Sequence, residues 1–174
     1  MTLQLTLADG QLSAARQRTG NPRADRVLGQ LDDAWQAFQD AYAGLSDDQM
    51  QMPGVTGAWS MRDMIAHVTW WDEESIAHLP VVFAGDRLSR YSQVYGGIDA
   101  FNALMTERKA SLSLDEVQAG FLETHTRLVR YLLSLDPAEW VGNTRFRHRL
   151  KMDTWSHYPI HEADIRRWRD AAGI

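Results

Sequence analysis

Apolar residues recur along much of this chain at spacings of three and four, the period of a helix with one buried face. Between Pro22 and Leu45 the stripe is Leu28, Leu31, Trp35, Phe38, Tyr42 and Leu45, which predicts an amphipathic helix over that span. The stretch "SDDQMQMPGVTGAWS" breaks the pattern with Pro53, Gly54 and Gly57. Ser60 followed by Asp63 reads as a capping pair, and a second helix is predicted from Met61 to about His78. A polar, glycine-bounded loop is expected over 84–97, then a shorter helix over "IDAFNALMTERKA". Ser113 and Glu116 make a capping box for a third long helix with the stripe Leu114, Val117, Phe121, Leu128, Leu132 and Leu135, ended by Pro137. "VGNTRFRHRLKMD" reads as a loop or a short irregular stretch. Asp153 is expected to cap the last long helix, from Thr154 to about Ala171.

Four long helices without strand alternation predict an all-α fold, a four-helix bundle. The connection between the second and third long helices is by far the longest, which predicts a crossover rather than simple up-and-down threading. The 174 residues suit one domain, 1–174, with residues 1–20 as an N-terminal extension that could hold a short helix.

Composition narrows the chemistry. With no cysteine there is no disulfide, no thiolate metal site and no cysteine nucleophile, so a transition-metal site has to use His, Asp or Glu. A formal charge of -5 and the lack of a basic run argue against nucleic acid as a partner. No signal peptide and no membrane-spanning run are recognisable, which makes the cytoplasm the expected location. Seven tryptophans are available to fill a core or line a pocket. Aromatic residues on helix margins suggest a homodimer.

The stripes are interrupted at a few places by polar groups. On a wheel of the last helix, His157, His161, Asp164, Ile165 and Trp168 share one face. Histidines at i and i+4 suit two nitrogens on one cation, and they equally suit a pair of hydrogen-bonded core histidines. On the second helix His67 sits at the margin of an apolar face, beside Trp71 and Glu74. There it is either a third ligand or a half-exposed helical histidine. On the third helix Thr124 and His125 fill a gap between Phe121 and Leu128. His125 is either a pocket wall or a buried core histidine. Pro159 lies between the paired histidines, and either kinks the helix there or marks a later start for it.

Three stretches carry a family resemblance: G-x-W-S-x-x-D-x-x-x-H at Gly57–His67, F-N at Phe101–Asn102, and T-W-x-H-Y-x-x-H at Thr154–His161. Over residues 25 to 170 the chain resembles the DinB-like (DinB/YfiT) metalloprotein superfamily, and within it the ClbS/DfsB-type branch. The resemblance implies a four-helix bundle with a long connection between helices two and three. It implies that His67, His157 and His161 hold one divalent transition metal, zinc or nickel. Relatives include metal-dependent thiol-S-transferases and hydrolases. The branch namesake is similar to a small protein that disarms a DNA-damaging electrophile by opening a strained ring.

Three functions are open on this basis. The first is a metalloenzyme acting on a small molecule, with Glu74 as general base and Asp164 orienting a ligand imidazole. Trp70, Trp71, Tyr158 and Asn102 would then border the substrate. The second is a protein that binds and sequesters a toxic small molecule without turnover. The third is a helical interaction domain whose histidines are satisfied internally.

Overall fold

The computed structural model describes residues 19–174, so the predicted N-terminal extension lies largely outside the described residues. Nine helices and a two-stranded hairpin are seen in this part of the chain. The first helix, α1 (Pro22–Tyr42), starts where Asn21 accepts from the backbone N–H groups of Arg23 and Ala24 and proline occupies the first helical position. Its predicted stripe is buried through Leu28, Leu31, Trp35 and Phe38.

A short helix, α2 (Asp47–Gln51), leads into β1 (Pro53–Thr56) and β2 (Trp59–Ser60), which pair antiparallel. This hairpin was not expected, since six strand residues are too few for an alternation pattern. Gly57, with φ 57°, makes the tight return that a side chain would strain. Ser60 then caps α3 (Met61–Phe83): its hydroxyl accepts from the Asp63 N–H, and the Asp63 carboxylate accepts from the Ser60 N–H at 3.0 Å.

Helix α3 is the centre of the molecule. From Met64 to Asp72 every residue is buried, because α3 packs on α6 (Leu114–Ser134), α8 (Thr144–Asp153) and α5 (Ile98–Lys109) at once. It also runs a turn beyond the predicted end at His78. Pro80 donates no backbone hydrogen bond, yet its carbonyl still accepts from Ala84 at 3.0 Å and the helix continues. The predicted long connection to the next long helix spans 84–113 and carries α4 (Tyr91–Val94) and α5. Arg62, on the first turn of α3, fastens the end of this connection by donating to the carbonyls of Lys109 and Leu112.

Two boundaries in the last third differ from the sequence reading. The stretch read as irregular holds α7 (Pro137–Gly142) and α8, the latter capped by the Asn143 side chain accepting from Phe146 N–H. The last helix, α9 (Tyr158–Ala172), starts four residues later than predicted. Asp153 is therefore not its cap; it ends α8, and its carboxylate is turned inward. Pro159 falls in the first turn of α9, where backbone N–H groups have no helical acceptor, so it introduces no kink. Helix α9 packs on α1 and against β1, and Gly173 in the left-handed region ends it. The long helices α1, α3, α6 and α9 form the predicted helical bundle. No described helix is long and apolar enough to cross a membrane.

Candidate metal centre

His67 lies two turns into α3, held by the buried faces on either side of it. His157 immediately precedes α9, in the turn over 154–157, with its N–H bonded to the Thr154 carbonyl at 2.7 Å. His161 follows one helical turn later. His157 leaves the turn and His161 projects from the helix, and both come close to His67.

The three Nε2 atoms converge. His157 Nε2 is 3.1 Å from His67 Nε2 and 2.8 Å from His161 Nε2. His67 and His161 are buried and His157 is partly so. An in-plane nitrogen of a neutral imidazole offers one hydrogen or one lone pair. His157 Nε2 nevertheless faces two partners, which a single hydrogen bond does not satisfy. One cation at the point of convergence satisfies all three. Nitrogens at roughly 2.0–2.1 Å from a shared zinc-type ion stand about 3.0–3.4 Å apart, close to the spacing here.

Electrostatics agrees with ligation. Burial first, and then the neighbouring imidazoles of His161 and His157, push His67 down to about 2. Burial and His161 take His157 to about 3, against a smaller upward pull from the Asp153 backbone. Burial lowers His161 to about 4, against the Asp164 carboxylate. All three imidazoles are thus neutral at physiological pH, with lone pairs available, as metal ligation requires. The Nδ1 atoms of His67 and His161 are buried without a hydrogen-bond partner among the described residues.

The three histidines line a cavity of about 910 Å³. Trp59, Trp71, Leu88, Tyr91 and Ile98 supply much of its apolar wall. Arg145, His148, Arg149 and Asp153, all on α8, supply the polar wall. Asn102 also lines it, with a buried Oδ1 that no described residue bonds.

Five of the candidate residues lie outside the cavity lining. Glu74 does not line the cavity: it accepts from the Tyr91 hydroxyl at 2.6 Å and lies 3.4 Å from His78 Nδ1. Tyr158 does not border the cavity either, being wholly buried with its hydroxyl donating to Asp72 Oδ1 at 2.6 Å. Trp70 is also buried, with its ring edge-on to His67 at 4.9 Å. His125 is buried as expected but away from the cavity wall. It stacks on Trp35 with centroids 4.1 Å apart and has Asp72 Oδ2 at 4.0 Å. Asp164 stands 3.9 Å from His161 Nδ1, too far for a hydrogen bond, and instead accepts from Thr56 Oγ1 at 3.1 Å and from Arg167.

Sequence reasoning missed Tyr91, Arg145, Arg149 and Asp153. The signal was the i, i+4 spacing of 145, 149 and 153, which has meaning only on a helix, and that stretch was read as irregular.

A family model of the DinB superfamily matches residues 30–159. The match takes in His67 and His157 and stops two residues short of His161. No curated protein and no solved structure gave a match. The matched region covers most of the chain, including α3 with His67 and the turn with His157, and the chain belongs to the DinB superfamily.

Proposed function

We propose that His67, His157 and His161 hold one divalent transition ion, zinc or nickel, and that the chain is a metal-dependent enzyme acting on a small electrophilic molecule. The observation that carries this reading is the convergence of three neutral imidazoles, at 2.8 and 3.1 Å, in the lining of a large cavity. Three protein ligands leave room for a reacting group, the arrangement typical of catalytic rather than structural sites. When bound, such an ion supplies Lewis acidity toward a substrate or a water. The chain's own contribution is to keep the imidazoles neutral, to orient them from two helices, and to surround the site with Trp59 and Trp71, which exclude water. Hydrolysis and thiol transfer are the reaction classes the reading includes. Both fit a detoxifying role of the ClbS/DfsB type, the branch that the motifs resemble.

Sequestration without turnover is a second reading, and one observation favours it. The carboxylate lining the cavity, Asp153, is already engaged by Ser75 at 2.8 Å and Arg149 at 2.6 Å, and Glu74 is occupied by Tyr91. No free carboxylate base is therefore seen beside the histidines among the described residues. A panel of epoxides and other strained electrophiles, incubated with and without chelator, separates the two: chelator-sensitive turnover supports the enzyme, and stoichiometric binding alone supports sequestration.

The metal is tested by replacing each histidine with alanine in protein carrying no affinity tag. Each variant is expected to lose most of its metal by elemental analysis. Chelator is expected to lower the melting temperature of the wild type and to leave the variants unmoved, since a bound ion stabilises by mass action. Wild-type metal content in all three variants would falsify the site.

A further inference from the structure

The cavity is lopsided in charge. The protein carries a formal charge of -5, yet α8 turns Arg145 and Arg149 into the cavity against a single lining carboxylate, Asp153. Arg145 is held by backbone rather than by an acid: its guanidinium donates to the carbonyls of Gly85 at 3.1 Å and Asp86 at 2.6 Å. That arrangement fixes the side chain, with no ion pair to it among the described residues. Arg149 donates from Nε to Asp153 at 2.6 Å and from Nη2 to the Tyr91 hydroxyl at 3.1 Å. No described residue bonds its Nη1. Two guanidinium groups one helical turn apart, each pinned at two points, form a preorganised pair of donors toward an oxyanion.

Much of the remaining lining is apolar. Trp59 and Trp71 lie toward the histidines. Ile98, Met152 and Ile160 line the same cavity and are more than half exposed, among only a few large apolar side chains so exposed on the described surface. An apolar rim of this kind marks a place where an apolar ligand enters.

We propose that the α8 wall is an anion subsite, and that the cavity takes amphipathic carboxylates, with the apolar body against Trp59, Trp71 and Ile98 and the carboxylate on Arg145 and Arg149. This names the substrate class of the cavity described above and rests on the reading of that cavity as the substrate site. It does not require the carboxylate to touch the histidines: the two ends of the ligand are sorted by the two walls, which leaves the rest of the molecule beside the imidazoles.

The test uses three probes of equal chain length, decanoate, decanol and decylamine, titrated into the full chain by calorimetry and by tryptophan fluorescence. Each titration is run on chelator-treated and on zinc-loaded protein. Decanoate is expected to bind about tenfold or more tighter than either of the others in both forms, the worth of one or two charge-assisted hydrogen bonds. Arg145→Gln and Arg149→Gln are each expected to weaken decanoate about tenfold while leaving decanol unchanged. Arg149 also bonds Asp153 and Tyr91; if its variant fails to fold, the more exposed Arg145→Gln carries the test. Equal or tighter binding of decanol or decylamine overturns the proposal, as does failure of all three to bind. A preference for decanoate that exists only in zinc-loaded protein also overturns it, because the carboxylate then sits on the ion; the metal reading survives that result. A preference that persists in protein unable to bind zinc supports the subsite and removes the metal reading instead.

Discussion

His125 shows how a buried polar side chain can sit near a functional site without belonging to it. Its ring is sandwiched against Trp35, and both nitrogens are buried with no hydrogen-bond partner among the described residues. Burial alone pushes it down to about 3. The stacking is worth about 0.5–1.5 kcal/mol, while two unpartnered nitrogens cost a comparable amount or more. His125→Phe keeps a stacking ring and removes the polar atoms. It is expected to raise stability by about 1 kcal/mol in urea unfolding, with metal content unchanged. A loss of metal on this substitution would return His125 to the site. Tyr158 illustrates the converse case. It follows His157 directly, and its bond to Asp72, a fully buried carboxyl that burial holds well above the usual carboxylate range, ties the start of α9 to α3. Asp72 thereby fixes the distance between the two helices that supply the histidines.

At the scale of elements, the start of α9 decides the geometry. Had the helix begun at Thr154, Pro159 would have stood in its interior and removed a hydrogen bond at a cost of about 3 kcal/mol. Placed in the first turn it costs almost nothing, and its fixed φ suits the position. Pro159→Ala is therefore expected to change stability by less than about 1 kcal/mol and to leave metal content unchanged. A large stabilisation, read by thermal melting, would show that the proline strains the helix. Helix α8 escaped the sequence reading because only Phe146 and Leu150 of its ten residues are buried hydrophobics. Two apolar positions four apart do not make a stripe. The arginines and Asp153 that line the cavity run alongside these two positions, so the polar residues that hide the helix also form the polar wall.

For the whole molecule, the buried histidines set a dependence of stability on acid. His67, His125, His157 and His161 lie at about 2, 3, 3 and 4 in the folded chain, against about 6.5 when unfolded. Below pH 6.5 the unfolded chain takes up protons that the folded chain does not, so stability is full above 6.5 and falls as pH drops toward 4. Asp153, which burial raises to about 6, works the other way, since the folded form holds a proton that the unfolded form lacks between about 6 and 3.8. Four lowered histidines against two raised carboxyls, Asp153 and Asp72, leave a net loss. Chelated protein is expected to lose melting temperature steadily from pH 6.5 to 4.5, and His125→Phe to lose less. The extra stability given by zinc should shrink over the same range, because protons compete for the imidazoles. A flat profile in chelated protein would show that the histidines titrate normally and are not held in the dry cluster described.

Periodicity determined by itself that the protein is a helical bundle. The stripes of α1 and α6 and the capping pairs at Ser60 and Ser113 are local features, and local sequence is where helix period and capping chemistry reside. The motif residues His67, His157 and His161 were legible in the same way, through i, i+4 spacing and the family resemblance. Only the tertiary structure decided what surrounds them. Residues 67 and 157 are ninety positions apart, and whether their nitrogens meet depends on how α3 and α9 pack, which no spacing along the chain encodes. Glu74 could be placed on the right helix but not on a side, because its partner, Tyr91, comes from the long connection. The α8 wall, the cavity and the seclusion of Tyr158 and His125 arise from contacts between distant segments. The chain specifies them through packing and burial, and they become visible only once it is folded.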